Sequence, residues 1–263
     1  MRCSMKKIIS AILSLSICLS FAACAKAQPA SSQSVAESQP ASSESQSQST
    51  AAEFPVTLTD HLGRSVTIEQ KPQSIVSGYY ITSSLLIALG LEDNLVGIEA
   101  KAKSRPIYSL SAPQVLDLPS VGTAKEFDLE GCAALKPDLV ILPVKLKDSA
   151  ASLEQLGIKV LAVNPEDDAL LTETIEMVGK ATGTQQRAAE LSDFISLKKQ
   201  QLADAVSSAK KPNVYLGGNS ALLSTAGAKM YQNALIEAAG GANVAAELED
   251  SYWAEISYEQ LIA

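Results

Sequence analysis

The sequence predicts an α/β fold of two doubly wound α/β lobes joined by a single long helix, with the second lobe incomplete. Three observations support this prediction. Between residues 74 and 163, strand-like apolar runs alternate with helical patterns, which indicates parallel βαβ units. A helical pattern then extends from Thr184 to about Ser208. After Pro212 the alternation restarts, but the sequence ends at Ala263, so we expect a partial lobe; a small appended subdomain is the alternative.

Residues 1–23 have the pattern of a signal peptide. Three basic residues precede the apolar stretch 8–21, which is too short to span a bilayer comfortably. Small residues then precede Cys24, as in the lipobox of bacterial lipoproteins, although Phe21 stands where that pattern prefers leucine. We therefore predict that Cys24 is lipidated and becomes the mature N-terminus. An ordinary cleaved signal peptide with an incidental cysteine is the alternative.

Residues 24–53 are predicted to be the lipidated cysteine followed by a disordered linker. The segment is rich in serine, glutamine and alanine and has few large apolar residues, so it cannot form a core. Such a linker suits a protein that is held close to a membrane by its lipid.

The N-terminal α/β lobe is predicted to span residues 54–183. Two alternating runs flank His61, so a hairpin is expected there, with His61 at the surface. The run LVIL at 139–142 is apolar throughout, which fits a sheet that is covered on both faces. Residues 101–126 are expected to be irregular. The remaining predicted strands and helices lie at 74–78, 82–89, 95–98, 128–135, 138–142, 148–156, 159–163 and 168–181.

The connecting helix is predicted at 184–209 and the partial C-terminal α/β lobe at 210–263. In that lobe NVYLGG and ALLST are expected to be strands, and a helix is expected from about Tyr231 to Ala239, where two glycines follow.

Composition and motifs exclude several function classes. The chain has 263 residues and a formal net charge of −8, which makes nucleic-acid binding improbable. Cys132 is the one cysteine within the predicted folded body, so no disulfide is expected there, and Cys132 is predicted to be buried. With one histidine and no HExxH, CxxC, GxGxxG or P-loop motif, the sequence does not indicate an enzyme. A lipid-anchored cell-surface α/β hydrolase or an adhesion module are the competing functions.

One short motif occurs twice, as 128-DLEGCAA and 257-SYEQLIA. Each copy begins with a helix-capping residue and has a glutamate two places later, Glu130 in the first and Glu259 in the second. An acid in the first turn of a helix is stabilised by the helix dipole alone, so the two glutamates do not by themselves indicate a function.

The segments VTLTDHLGRSVTIEQKPQSIV, LLIALGLEDNLVGI, LKPDLVI, ALIEAAGGANV and WAEISYEQL occur in an order that resembles the class III substrate-binding proteins of ABC importers. That family includes binders of ferric siderophores, haem and vitamin B12. The resemblance covers residues 54–263 and implies two lobes with one ligand in the cleft between them. It also implies a C-terminally truncated chain, no cofactor, and a permease with its ATPase as partners. We expect a monomer that contacts the cell membrane only through its N-terminal lipid, on the extracytoplasmic face.

The resemblance also implies site residues. Glu130 and Glu259 match the glutamate that faces the permease on each lobe. Open α/β sheets bind ligands at the carboxyl ends of their strands. The candidate ligand-binding residues in those loops are Tyr79, Tyr80, Thr123, Lys125, Lys145, Asn219, Ser220 and Trp253, and the irregular stretch 101–126 adds Arg105 and Tyr108.

Of these candidates, Arg105 and Tyr108 are expected to close over the rim of the cleft. Core packing is the alternative for the aromatic residues and a solvated surface position for the lysines. No residue is expected to bind a metal directly. The expected ligand is a metal chelate, with a ferric siderophore first and a corrinoid or haem next; the residues do not decide among them.

Overall fold

The computed structural model describes residues 54–217, 221–248 and 252–262. The predicted signal peptide, Cys24 and the whole predicted linker lie outside the described residues, as do the predicted ligand-binding residues Asn219 and Ser220.

The described chain begins with an antiparallel hairpin of β1 (Val56–Thr59) and β2 (Ser65–Ile68), as predicted. The elements that follow are β3 (Ile75–Ser77), α1 (Tyr80–Ala88), β4 (Leu95–Ile98), α2 (Pro106–Ser111), α3 (Leu129–Ala134), β5 (Leu139–Pro143), α4 (Lys147–Gln155), β6 (Val160–Val163), α5 (Asp168–Thr182) and α6 (Gln185–Val206). Strands β3 to β6 form a parallel sheet in the order β4-β3-β5-β6. The α/β class with a parallel sheet is therefore confirmed. The segment expected to be irregular contains the short helix α2.

The parallel sheet has an apolar core on each face, because successive side chains of a strand point to opposite faces. One core contains Ile75, Leu139, Ile141 and Leu161 and packs against α1 and α5. The other contains Val76, Val140, Leu142 and Val160 and packs against α3 and α4. This explains why β5 is apolar throughout. Cys132 of α3 lies in the second core, and burial raises the pKa of its thiol to about 11.

The hairpin turn docks against the end of β6. His61 Nδ1 accepts a hydrogen bond from the backbone N–H of Asn164 at 2.6 Å, and the His61 side chain is only 9% exposed. The prediction of a surface histidine was therefore wrong. Asp60 is also buried, and its carboxylate accepts a hydrogen bond from the N–H of Ala162 at 3.1 Å. These contacts fix the hairpin to the sheet.

The long predicted helix is present as α6. Its first turns contact the first lobe, where Ala188 is buried and packs closely against Gly179 of α5. Its last residue, Val206, lies so close to Gly240 that a Cβ on that glycine would be 2.7 Å from the Cβ of Val206. Between these two contacts, Leu202 is 48% exposed. The helix therefore connects the first lobe with the segment that follows.

The last described elements are β7 (Asn213–Val214), β8 (Ser224–Ala226), α7 (Tyr231–Ala238), β9 (Ala242–Asn243), β10 (Trp253–Glu255) and α8 (Tyr258–Ile262). Strands β7 and β9 pair in parallel, and β8 pairs antiparallel with β10. Both predicted strands of this part are present but shorter than expected. Within the described residues, no helix combines the length and the apolar composition that crossing a membrane requires.

Candidate functional site

A cavity of about 350 Å³ lies at the carboxyl ends of β3 and β4. Three loop segments line it: residues 78–80 after β3, residues 99–101 with Arg105 after β4, and residues 122–125. Its size is within the usual range for small-molecule pockets, and its position is the one that open α/β sheets use for ligands.

Two glycines allow these loops to approach each other. At Gly78 a Cβ would lie 2.5 Å from Cδ2 of Leu142, so a larger residue would push the loop off the sheet. At Gly122 φ is +82°, a conformation that favours glycine, and a Cβ would lie 2.1 Å from the carbonyl oxygen of Glu126. The N–H of Ala100 donates to the carbonyl oxygen of Gly122 at 2.8 Å, which joins the second and third loops.

Tyr79 and Tyr80 form an aromatic wall of the cavity. Their ring centroids are 5.0 Å apart in an edge-to-face arrangement, and Tyr80 is 43% exposed. Burial raises the pKa of Tyr79 well above its ordinary value, and the negative charge of Glu166 raises it further. The Tyr79 phenol therefore stays protonated at neutral pH and can donate a hydrogen bond.

Arg105 lies over this wall. Its guanidinium carbon is 4.2 Å from the centroid of the Tyr80 ring, within the range of a cation–π contact. Its Nε donates a hydrogen bond to Oε1 of Glu99 at 3.1 Å. Glu99 follows β4 directly and is only 6% exposed. One carboxylate thus lies below a cation that is itself stacked on an aromatic ring.

The third loop contributes a hydroxyl and an ammonium group. The Thr123 hydroxyl oxygen accepts hydrogen bonds from the N–H groups of Lys125 and Glu126, at 3.2 and 3.1 Å. Its own proton remains available to a ligand. Lys125 and Lys101 are exposed at the cavity, and no ion pair is recorded for either of them within the described part of the chain. The lining therefore carries three cationic side chains and one carboxylate.

Five of the predicted ligand-binding residues lie together at this cavity: Tyr79, Tyr80, Arg105, Thr123 and Lys125. Lys145 is exposed in the turn after β5, and Trp253 lies in β10; neither lines the cavity. The sequence analysis missed Glu99 and Lys101. An acid immediately after the apolar run LVGI was the signal that could have indicated Glu99.

The prediction that Tyr108 closes over the rim was wrong. Its side chain is fully buried, and its one hydroxyl proton is shared between Oε1 of Glu99 and the carbonyl oxygen of Tyr80, each 3.0 Å from the hydroxyl oxygen. Burial, together with the charge of Glu99, raises the pKa of Tyr108 to about 12, so the phenol remains a donor. Tyr108 thus supports the cavity from below.

A second cavity of about 380 Å³ lies between α5, α6 and α7. Lys199 and Asp168 form an ion pair within its lining, so its charged groups already satisfy each other. No strand end reaches this cavity, and we do not assign the ligand site to it.

The two predicted docking glutamates are exposed and lie in the first turns of α3 and α8. Asp128 caps α3 by accepting from the N–H of Gly131 at 2.8 Å. Ser257 and Gln260 form a reciprocal capping box at the start of α8, with distances of 3.2 and 2.8 Å. Hydrogen bonds from its own backbone N–H and from Ser257 lower the pKa of Glu259. The repeated motif therefore forms the same capped helix start twice.

Comparison with known proteins shows that the chain is similar to binding proteins. A family model described as "Periplasmic binding protein" matches residues 75–263. The chain is 28% identical over 220 residues to an uncharacterized ABC transporter substrate-binding lipoprotein, YvrC, of Bacillus subtilis, covering 80% of this chain and 66% of that protein. It is 28% identical over 221 residues to a cobalamin-binding protein of Halobacterium salinarum, covering 81% and 57%.

Among solved structures, a periplasmic heme-binding protein of Pseudomonas aeruginosa superimposes with a TM-score of 0.61 at 28% identity, covering 72% of this chain and 68% of that one. The chain spans less than two thirds of the length of the two curated relatives. None of the three proteins is described as a hydrolase or an adhesion module.

Proposed function

The chain belongs to the periplasmic binding protein family, as the sequence resemblance indicated, and from this premise we propose that it is the substrate-binding component of an ABC importer. The family consists of binding proteins and not of enzymes. The proposed ligand is a small-molecule metal chelate, first a ferric siderophore and next a corrinoid or haem. We further propose that the protein is anchored by lipid at Cys24, on the extracytoplasmic face of the cell membrane.

The observation that carries this proposal is the convergence of aromatic and cationic side chains from three separate loops on one cavity. An aromatic wall with a stacked guanidinium suits a ligand that combines a flat or apolar body with oxygen atoms. Tyr108 is buried below the cavity, and the lining carries mainly hydrogen-bond donors and positive charge. Such a lining suits the oxygen atoms of a chelator better than a bare metal cation.

Two relatives are named for ligands in this range, a corrinoid and haem, and they do not select between these ligands and a siderophore. The Halobacterium salinarum protein is named as cobalamin-binding and the Pseudomonas aeruginosa structure as heme-binding. Native mass spectrometry of the protein purified from its producing cells tests the proposal, because a bound chelate should appear as a defined added mass. A protein that carries no small molecule and binds none of the candidate chelates would contradict it.

We expect Tyr80→Ala to lower ligand affinity by at least about tenfold, since aromatic side chains in ligand contacts often contribute this much. Phe194→Ala is the matched control, because Phe194 is also an exposed helical aromatic with a cation over its ring, Lys198, but lies in α6 away from the cavity. Titration of both variants with the ligand found by mass spectrometry gives the comparison. Equal affinities for Tyr80→Ala and the control would show that the aromatic wall does not contact the ligand.

For the anchor, we expect Cys24→Ala to release the protein into the medium or to leave it as an unprocessed precursor, because acyl chains would supply its membrane affinity. Cys18→Ala, within the predicted signal peptide, is the matched control and should leave fractionation unchanged. Membrane and soluble fractions are compared by immunoblot. A processed Cys24→Ala protein that stays with the membrane would rule out the lipid anchor.

A further inference from the structure

The least expected group near the cavity is the buried carboxylate of Glu99. A buried charge is costly unless it is paired and hydrogen-bonded. Here Oε2 receives the Ser83 hydroxyl at 2.5 Å, and Oε1 receives the Tyr108 hydroxyl at 3.0 Å and Arg105 Nε at 3.1 Å. Three donors, one from α1 and two from the start of α2, therefore converge on one side chain.

This arrangement holds the Arg105 guanidinium on two sides. Glu99 binds the Nε edge, and the Tyr80 ring covers one planar face at 4.2 Å. A guanidinium has five N–H donors. Within the described residues, Nε is the only Arg105 side-chain nitrogen with a recorded hydrogen bond to protein, and Arg105 is about 28% exposed at the cavity. The two Nη groups therefore remain as a fixed pair of donors, spaced to bind two oxygens at once.

The charge around this donor pair is positive. Lys101 and Lys125 lie on the neighbouring loops, and Glu99 is already neutralised by Arg105. Glu99 is the one acid among the lining residues; Glu126 follows Lys125 on the third loop, and the charge of Glu166 acts on Tyr79. A local excess of cations in a chain of formal net charge −8 favours an anionic ligand over a neutral one.

We propose that Glu99 is a positioning residue, which holds Arg105 against Tyr80 so that its two Nη groups bind an anionic oxygen pair of the ligand. The ligand class is therefore a chelate or other small molecule that bears a carboxylate, phenolate or similar oxyanion beside a surface that stacks on Tyr80. The inference rests on the proposed function, which it narrows from any chelate to an anionic one. Glu99 itself does not contact the ligand.

A double-mutant cycle tests the positioning role. The probes are iron(III) citrate, iron(III) tris-catecholate and haemin as anionic compounds, with cyanocobalamin as the compound without net charge. Arg105→Gln should weaken the anionic probe that binds by about tenfold to a hundredfold, the usual effect of losing a charge-assisted hydrogen bond. Glu99→Gln, which keeps the volume, should weaken it by about tenfold, and should add little in the Arg105→Gln background because it acts through Arg105.

Two controls separate positioning from damage to the fold. Glu126→Gln makes the same change of charge at an exposed position one residue beyond Lys125, and should leave affinity within about twofold. If Glu99→Gln does not fold, Tyr108→Phe removes one of the three donors to Glu99 and serves in its place in the cycle. The NMR signal of Arg105 Nε–H gives a readout without ligand: it should be protected from solvent exchange in the wild type and lose this protection in Glu99→Gln.

The outcomes test the positioning role of Glu99, the anionic ligand class and the proposed function separately. Non-additive losses together with the NMR change support the proposal, and additive losses or an unaltered Nε–H signal overturn the positioning role. Binding of cyanocobalamin without any anionic probe overturns the anionic ligand class and leaves the importer function standing. If no probe binds and no small molecule co-purifies, both the inference and the proposed function fail.

Discussion

Replacing Glu130 and Glu259 together by arginine should nearly abolish uptake in cells that carry the importer, while ligand affinity in solution stays unchanged. Both side chains are exposed at the starts of capped helices, and neither lines the ligand cavity. The family resemblance implies that the two glutamates pair with arginines of the permease. If they do, the substitutions place like charges against each other, which costs several kcal/mol in a protein–protein contact. The single Gln variants should reduce uptake by less.

The fold should tolerate these changes. Each Glu→Gln substitution removes a favourable interaction with a helix dipole, which is about 0.3–1 kcal/mol for ordinary surface positions and is screened by salt. Glu259 is fully exposed, so Glu259→Gln is expected to lower the free energy of unfolding only slightly. Affinity is measured by titration calorimetry and uptake with labelled ligand in intact cells. Normal uptake by a double mutant that also binds ligand normally would refute the docking role.

A matched pair of acids controls for net charge. Glu69 in the first lobe and Glu247 in the second are both exposed, so Glu69→Arg with Glu247→Arg makes the same total change without altering the repeated motif. This control pair should transport at close to the normal rate. If it fails equally, the overall charge of the protein and not the two helix starts governs the encounter with the permease.

The second large effect is a loss of fold stability, which we expect when Asp60 is replaced. Its side chain is fully buried and accepts five hydrogen bonds: Oδ1 from the N–H groups of Leu62 and Arg64, and Oδ2 from the N–H of Ala162 and from Nε and Nη2 of Arg64. Asp60→Ala leaves the Ala162 N–H and the guanidinium without this acceptor. Breaking a buried ion pair costs about 3–5 kcal/mol, so we expect a loss of that order in the free energy of unfolding.

The same carboxylate should make stability depend on pH. Burial acts to raise the pKa of Asp60, but hydrogen bonds from the Arg64 side chain and backbone, from Ala162 and from Leu62 outweigh it and lower the pKa. A carboxyl whose pKa is lower in the folded state stabilises the fold above its unfolded pKa, about 3.9, and loses this contribution as pH falls through the folded value. Stability of the wild type should therefore fall below about pH 4 more steeply than that of Asp60→Asn.

Urea unfolding at pH 7 and at lower pH measures both effects. Asp117→Ala is the control, because Asp117 is an exposed acid of the same type, and its unfolding free energy should change by no more than about 0.5 kcal/mol. An Asp60→Ala protein as stable as this control would show that the hairpin turn is not held to β6 by this carboxylate.

Much of the architecture followed from local pattern. The βαβ alternation, the apolar strand β5, the long helix α6 and both helix caps of the repeated motif were all predicted from neighbouring residues, and the structure has them. These features are local because strand and helix periodicity, capping residues and glycine stops act within a few positions of the chain. The rule that open sheets bind ligands at the carboxyl ends of their strands also brought Tyr79, Tyr80, Thr123 and Lys125 into the candidate site before the geometry was known.

What only the tertiary structure decided depends on residues that are far apart in the chain. The burial of His61 results from docking against Asn164, 103 positions later, and no pattern around His61 indicates it. Tyr108 was expected at the rim of the cleft but is buried. Its hydroxyl contacts the carboxylate of Glu99, a residue that the sequence analysis did not single out. Whether a polar side chain faces a ligand or supports one that does is set by which elements pack against it. That packing depends on helices covering both faces of the sheet. Those helices come from distant parts of the chain, so no single segment of the sequence predicts it.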